Sequence, residues 1–123
     1  MAQPAPDFFA VDVVDDVVVR RLLALRDQVA KPGEDVLGEL LQLFERDSQL
    51  RLVALKDAVA HGDADARKSA AHALKGSAGN VGARRVAAMA AHIEKQDVDV
   101  DALDRLAAEI AAAIDALGGR LRA

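Results

Sequence analysis

The chain has 123 residues with a formal net charge of −4, and 52% of them are hydrophobic. That length fits one domain, the absence of cysteine excludes a disulfide framework and a thiolate metal site, and the acidic balance disfavours nucleic-acid binding. No apolar run reaches the ~20 residues of a membrane span and the first residues lack the basic segment of a signal peptide, so we expect a cytoplasmic protein with no membrane contact.

The N-terminal segment, residues 1–14, is predicted to be a flexible arm, because Pro4 and Pro6 favour extended backbone. Phe8 and Phe9 either dock on the body of the protein or stay exposed, and the sequence leaves both open. The remainder, residues 15–123, is predicted to form a single helical domain.

A first helix is predicted from Asp15 or Asp16 up to the Pro32-Gly33 pair, because its apolar residues recur with helical period. Four further patterns follow, separated by Gly62-Asp63, by Gly82 and by an acidic segment, and Gly118-Gly119 is predicted to stop the last one. The predicted helices cover 34–61, 64–80, 83–96 and 101–117.

Short connections make consecutive helices antiparallel neighbours. The predicted fold class is therefore all-α, an up-down-up-down four-helix bundle with an additional N-terminal helix that caps one end. Aromatic residues make up only 2% of the chain, so the core must be built from Leu, Val, Ile and Ala. The apolar stripes are fully used inside one bundle, which favours a monomer.

The predicted helix over 64–80 carries His72 on the side opposite its core residues Ala70 and Leu74. Glycine inside a helix costs about 1 kcal/mol relative to alanine, so two glycines on an exposed face indicate a function rather than packing. They leave an open strip on which a second protein can approach the imidazole. The helical neighbours of His72 on this outer face are Lys68, Ser69, Lys75, Gly76 and Gly79.

The residue types on this face suit phosphoryl transfer. An unperturbed imidazole has a pKa of about 6.5 and is largely neutral at pH 7, so His72 can attack phosphorus. Lys75 can place its ammonium against the phosphoryl oxygens, and this chemistry needs mainly positioning and charge neutralisation. The sequence shows neither a carboxylate cluster for Mg²⁺ nor a phosphate-binding glycine loop. We therefore expect no metal, no cofactor and no enzymatic activity of the chain's own.

Residues 71–83, AHALKGSAGNVGA, resemble the signature of histidine-containing phosphotransfer (HPt) domains, roughly A-H-x-L-K-G-S-[AS]-x-x-[LV]-G-A. The similarity extends downstream to Ile93-Glu94. Upstream it extends more loosely over EDVLGELLQLFERDSQLRLVALKDAVAHGD, which is similar to the family's long second helix. It covers about residues 34–96 well and the rest only by pattern.

The resemblance implies a four-helix bundle with an extra N-terminal helix and a carrier without kinase activity. His72 would accept the phosphoryl group, Lys75 would steady it and Gly76 would give access. The implied partners are receiver domains of a hybrid sensor histidine kinase and of a response regulator. Mg²⁺ is expected only on the receiver.

Some surface residues remain open between two interpretations. Arg84 and Arg85 either meet acidic groups on a receiver or are plain solvated charges, and for Lys68 and Ser69 a docking role is favoured. His92 also has a lysine three residues on, but Gln96 fills the next position, so we interpret it as an ordinary surface histidine.

Three other functions compete with the carrier. The main alternative is a helical interaction module that binds receivers without becoming phosphorylated. A helix-turn-helix DNA binder is disfavoured by the net charge, and an enzyme is disfavoured because no base is placed to activate Ser69 or Ser77. Met1 and the short arm favour a free-standing protein over a fragment of a larger kinase.

Overall fold

The computed structural model describes residues 6–122, and the regular elements within that range are all helical. The predicted all-α class is confirmed. A short 3₁₀ turn at Phe8–Ala10 precedes five α-helices, which are α1 (Asp16–Val29), α2 (Val36–His61), α3 (Ala64–Val81), α4 (Arg84–Lys95) and α5 (Val100–Leu121).

Helices α2 to α5 form a closed ring, because α3 contacts α2 and α4 while α5 contacts α4 and α2. The connections between them have two to four residues, which makes consecutive helices antiparallel, as in the predicted up-down-up-down bundle. Helix α1 contacts α2, α3 and α5 and is the predicted additional helix.

The helix boundaries follow from caps that the sequence displays. Asp63 accepts a hydrogen bond from the backbone N–H of Ala66 and begins α3. Gly62 and Gly82 end α2 and α3 with φ of +64° and +82°, in the left-handed region that favours glycine. A Cβ on Gly82 would also lie 3.3 Å from the backbone oxygen of Asp15, so this turn packs closely on the start of α1.

The predicted stop of the last helix at Gly118-Gly119 is wrong, because α5 continues to Leu121. Leu117 and Leu121 are both buried in the core. Burying the Leu121 side chain is worth about 2 kcal/mol, which offsets the helix penalty of about 1 kcal/mol for each of the two glycines. Packing of the last turn therefore overrides the local glycine signal.

The core consists mainly of Leu, Val, Ile and Ala, as the composition predicts, with Phe44 and Met89 added. Helix α3 turns one face into it, and this burial orients the opposite face of α3 toward solvent. The buried residues of that inner face are Ala70, Ala71, Leu74, Ala78 and Val81.

The predicted flexible arm lies partly outside the described residues, which exclude 1–5. Within the rest of it, Val13 accepts a hydrogen bond from the backbone N–H of Arg84 at 3.0 Å. Phe8 packs edge-on against His92, with ring centroids 5.7 Å apart, whereas Phe9 is 78% exposed. Phe8 therefore docks on the body, whereas Phe9 stays mostly exposed with the guanidinium of Arg85 5.2 Å from its ring centroid. The division into arm and domain at residue 14 stays a prediction.

Candidate functional site

Helix α3 presents His72 to solvent, with 69% of its side chain exposed. The residues that orient it are Ala71 and Leu74, which are completely buried on the inner side of the helix. The outward direction expected from helical phase is thus confirmed. Asp63 caps the start of α3 and Ala-rich sequence favours the helix, so the imidazole stands on a rigid element.

Glu94, in the last turn of α4, is the residue that sequence reasoning missed. Its Oε1 lies 2.8 Å from Nδ1 of His72, and its Oε2 accepts a hydrogen bond from Nζ of Lys75 at 2.7 Å. The side chain of Glu94 is only 24% exposed. One carboxylate therefore bridges the two residues that the sequence singles out.

The bridge decides which ring nitrogen of His72 is available. The hydrogen bonds from Lys75 and then from His72 hold the pKa of Glu94 below its usual value, so the carboxyl is ionised at neutral pH and can only accept hydrogen bonds. Nδ1 of His72 must then carry a hydrogen. In the neutral ring the lone pair is left on Nε2.

Gly76 and Gly79 follow His72 by about one and two turns on the exposed face of α3. A Cβ built on either glycine would meet nothing within 4 Å, so packing does not require glycine at these positions. Neither glycine has a positive φ, so backbone strain does not require it. The two positions leave a strip without side chains beside the imidazole.

The predicted docking residues divide into two groups. Lys68, Ser69 and Arg84 are exposed. Arg85 instead donates a hydrogen bond to the backbone oxygen of Val11 at 2.9 Å and pairs with Glu109, and only 14% of its side chain is exposed. The structure does not bring Arg85 to the glycine strip, and the docking roles of the others stay predictions.

Two further polar residues are accounted for by local contacts. Ser77 is half-buried and donates a hydrogen bond to Oδ2 of Asp47 on α2 at 2.6 Å. His92 is half-buried against Phe8, so it differs from the exposed surface histidine that the pattern predicts.

Residues 6–122 contain no group of three or more His, Cys, Asp or Glu side chains placed to hold a metal ion. Over the same residues, no helix combines the length and the apolar character that crossing a membrane would need. The assignment of Mg²⁺ to a partner stays a prediction.

Comparisons with known proteins bear on the family and the fold of the chain. A model of the Hpt domain family matches residues 39–119, which include all of α3 and α4. The chain is also similar to the crystal structure of histidine-containing phosphotransfer protein B (HptB) from Pseudomonas aeruginosa PAO1, with a TM-score of 0.71 and 24% sequence identity over 89% of this chain and 95% of that one. That likeness concerns the fold. A comparison with curated proteins found no match.

Proposed function

The chain belongs to the Hpt domain family, and on that premise we propose that it carries a phosphoryl group on Nε2 of His72 between receiver domains of a two-component phosphorelay. One observation carries the proposal. Glu94 occupies Nδ1 of His72 at 2.8 Å, while the ring is mostly exposed and borders a strip cleared by Gly76 and Gly79. The exposed ring and the glycine strip are thus on the same outer face of α3.

The transfer step follows from this arrangement. The Nε2 lone pair attacks the phosphorus of an aspartyl phosphate on a docked receiver, the new N–P bond forms, and the P–O bond to the receiver's aspartate breaks to release its carboxylate. The hydrogen on Nδ1 stays on the ring and donates a hydrogen bond to the ionised Glu94. The positive charge that develops on the ring is balanced by that carboxylate. The reverse step uses the same contacts.

Lys75 supplies the cation for the phosphoryl group. Its Nζ is held by Glu94 at 2.7 Å and is partly exposed, with 38% of the side chain accessible. A phosphoryl group on Nε2 brings about two negative charges, which compete with Glu94 for the ammonium. A charge-assisted hydrogen bond to the phosphoryl oxygens then stabilises the phosphorylated form.

The proposed partners are receivers of a hybrid sensor histidine kinase and of a response regulator, which supply the aspartate and Mg²⁺. The glycine strip suits a protein partner, because a second backbone can approach closely where side chains are missing. The chain acts as a carrier without catalysing a reaction on ATP. We expect it to work as a cytoplasmic monomer.

Label transfer tests the proposal. A receiver domain loaded with labelled phosphate is mixed with the wild type and with His72→Gln, and the label is followed on a gel. We expect acid-labile, base-stable label on the wild type and none on the variant, with equal helical content by circular dichroism. His92→Gln is the matched control and should accept label like the wild type.

Two results would contradict the proposal. Label on His72→Gln would place the phosphoryl group on another residue. A wild type that binds phosphorylated receivers but never gains label would establish the alternative, an interaction module that is not phosphorylated.

A further inference from the structure

A buried cation lies on the same helix as His72, five residues before it. The side chain of Arg67 is only 6% exposed, and Arg67 and Ser48 are the buried polar residues in the range that the structure describes. Nη1 of Arg67 donates hydrogen bonds to the backbone oxygens of Ile93 and Gln96, the latter at 2.8 Å. Nε of Arg67 also lies 3.3 Å from Oδ1 of Asp97, an exposed residue in the connection after α4. Burying a charge is costly without such partners, so these contacts retain Arg67 in its position.

The two acceptors belong to the C-terminal end of α4. The last four carbonyl groups of a helix lack intrahelical partners and carry the negative end of its dipole. Helix α4 ends at Lys95 with an extended residue, Gln96, rather than with a left-handed glycine. Gln96 donates its backbone N–H to the oxygen of His92. Arg67 adds donors for the carbonyl groups of Ile93 and Gln96, and its positive charge complements the negative end of the helix dipole.

Glu94 lies in this same last turn, directly after Ile93. Its carboxylate reaches Nδ1 of His72 only if the turn stays helical and close to α3. Arg67 and His72 are about 7.5 Å apart along the axis of α3, and their contacts on α4 are at adjacent residues. The two contacts thus belong to one section of the α3–α4 interface.

We propose that Arg67 is a positioning residue for phosphoryl transfer, which ties the last turn of α4 to α3 and so keeps the Glu94 carboxylate on Nδ1 of His72. The positioning itself stands on the contacts above. Its effect on phosphoryl transfer rests on the proposed function. Other charged groups near the ring on its own helix are Lys68 and Lys75, and neither can accept the Nδ1 hydrogen.

The test uses the tautomer of His72, read from the ¹⁵N shifts of the ring at pH 8, where an unperturbed imidazole is neutral. In the wild type we expect hydrogen on Nδ1. Glu94→Gln, which loses a charge-assisted bond, should lower the ratio of the Nδ1–H to the Nε2–H form about tenfold. Arg67→Met should lower the same ratio about threefold, because the loosened last turn of α4 then keeps the Glu94 carboxylate on Nδ1 of His72 for only part of the time.

Arg120→Met is the matched control. It also removes an ion pair, that of Arg120 on α5 with Asp16 on α1 at 2.7 Å. We expect it to leave the tautomer of His72 unchanged.

A double-variant cycle separates positioning from general destabilisation. If Arg67 acts through Glu94, then adding Arg67→Met to Glu94→Gln should change neither the tautomer ratio nor the rate of label transfer further. Additive effects, or a wild-type tautomer in Arg67→Met, would overturn the inference.

A conservative variant covers the case in which Arg67→Met does not fold. Arg67→Lys keeps the charge, but one ammonium does not reproduce the planar fork of the guanidinium. Arg67→Lys should measurably raise the fraction of His72 in the Nε2–H form, and an unchanged tautomer ratio would overturn the inference. A wild type that shows the expected tautomer but never accepts label would refute the proposed function and leave the positioning intact.

Discussion

Replacing Gly76 and Gly79 by alanine should stabilise the protein and impair phosphoryl transfer. Both lie inside α3, and a Cβ at either position meets nothing within 4 Å, so no clash offsets the better helix propensity of alanine. Gly76 should yield about 1 kcal/mol. Gly79 lies two residues before the end of α3 at Val81, where the helix frays, and should yield about 0.5 kcal/mol. The sum, about 1.5 kcal/mol, corresponds to a rise in Tm of about 6 °C.

The same two methyl groups would stand in the strip on which the partner docks. Overpacking at a close contact costs about 1–3 kcal/mol, so the double variant should transfer phosphate at least about fivefold more slowly. Thermal unfolding followed by circular dichroism and label transfer from a receiver measure the two effects. A less stable double variant, or one that transfers at the wild-type rate, would refute the reasoning.

Gly119→Ala provides the matched control for the glycine variants. Gly119 is exposed within α5, and its Cβ would also meet nothing within 4 Å. This variant should gain stability in the same way. Its rate of transfer should equal that of the wild type, because α5 is remote in sequence and structure from the strip on α3.

Three further predictions concern single side chains. Lys75→Gln should reduce phosphate acceptance about tenfold through loss of a charge-assisted bond, and wild-type acceptance in the same label assay would contradict that role. The Glu94 carboxyl should titrate below its ordinary pKa of 4.5 in a ¹³C NMR titration, and a midpoint at or above 4.5 would contradict the bridge. Because the folded pKa of Glu94 is depressed, the stability that this carboxylate contributes is complete above its pKa in the unfolded chain. That stability is lost as the pH falls through the folded pKa. Leu121→Ala should cost about 2 kcal/mol of the free energy of unfolding in urea, whereas a neutral variant would mean that the last turn of α5 does not pack.

The parts of the molecule that could be predicted from sequence depend on local periodicity. The outward direction of His72 follows from its phase relative to Leu74, and the start of α3 follows from Asp63, since capping and amphipathic spacing act within a few residues. The same local signals locate the glycine strip, because Gly76 and Gly79 are one and two turns from His72.

The parts that could not be predicted depend on pairs far apart in the chain. Glu94 meets His72 across 22 residues and Arg67 reaches Ile93 across 26, and both contacts require the register of α3 against α4. Glu94 directly follows the core residue Ile93 near the end of a short helix. In the sequence it therefore looks like an ordinary solvated charge. The predicted end of α5 at Gly118-Gly119 is wrong for a related reason, because the burial of Leu121 is a tertiary effect.

The central claim is that Nε2 of His72 carries the phosphoryl group, and locating the phosphorus tests it most directly. The wild type would be phosphorylated by a receiver, and ³¹P and ¹⁵N NMR at neutral to alkaline pH would assign the N–P bond to a ring nitrogen and a residue. We predict a single phosphorylated site, Nε2 of His72, with Nδ1 still close to Glu94. Phosphorus on Nδ1 of His72, or on His61 or His92, would contradict the account.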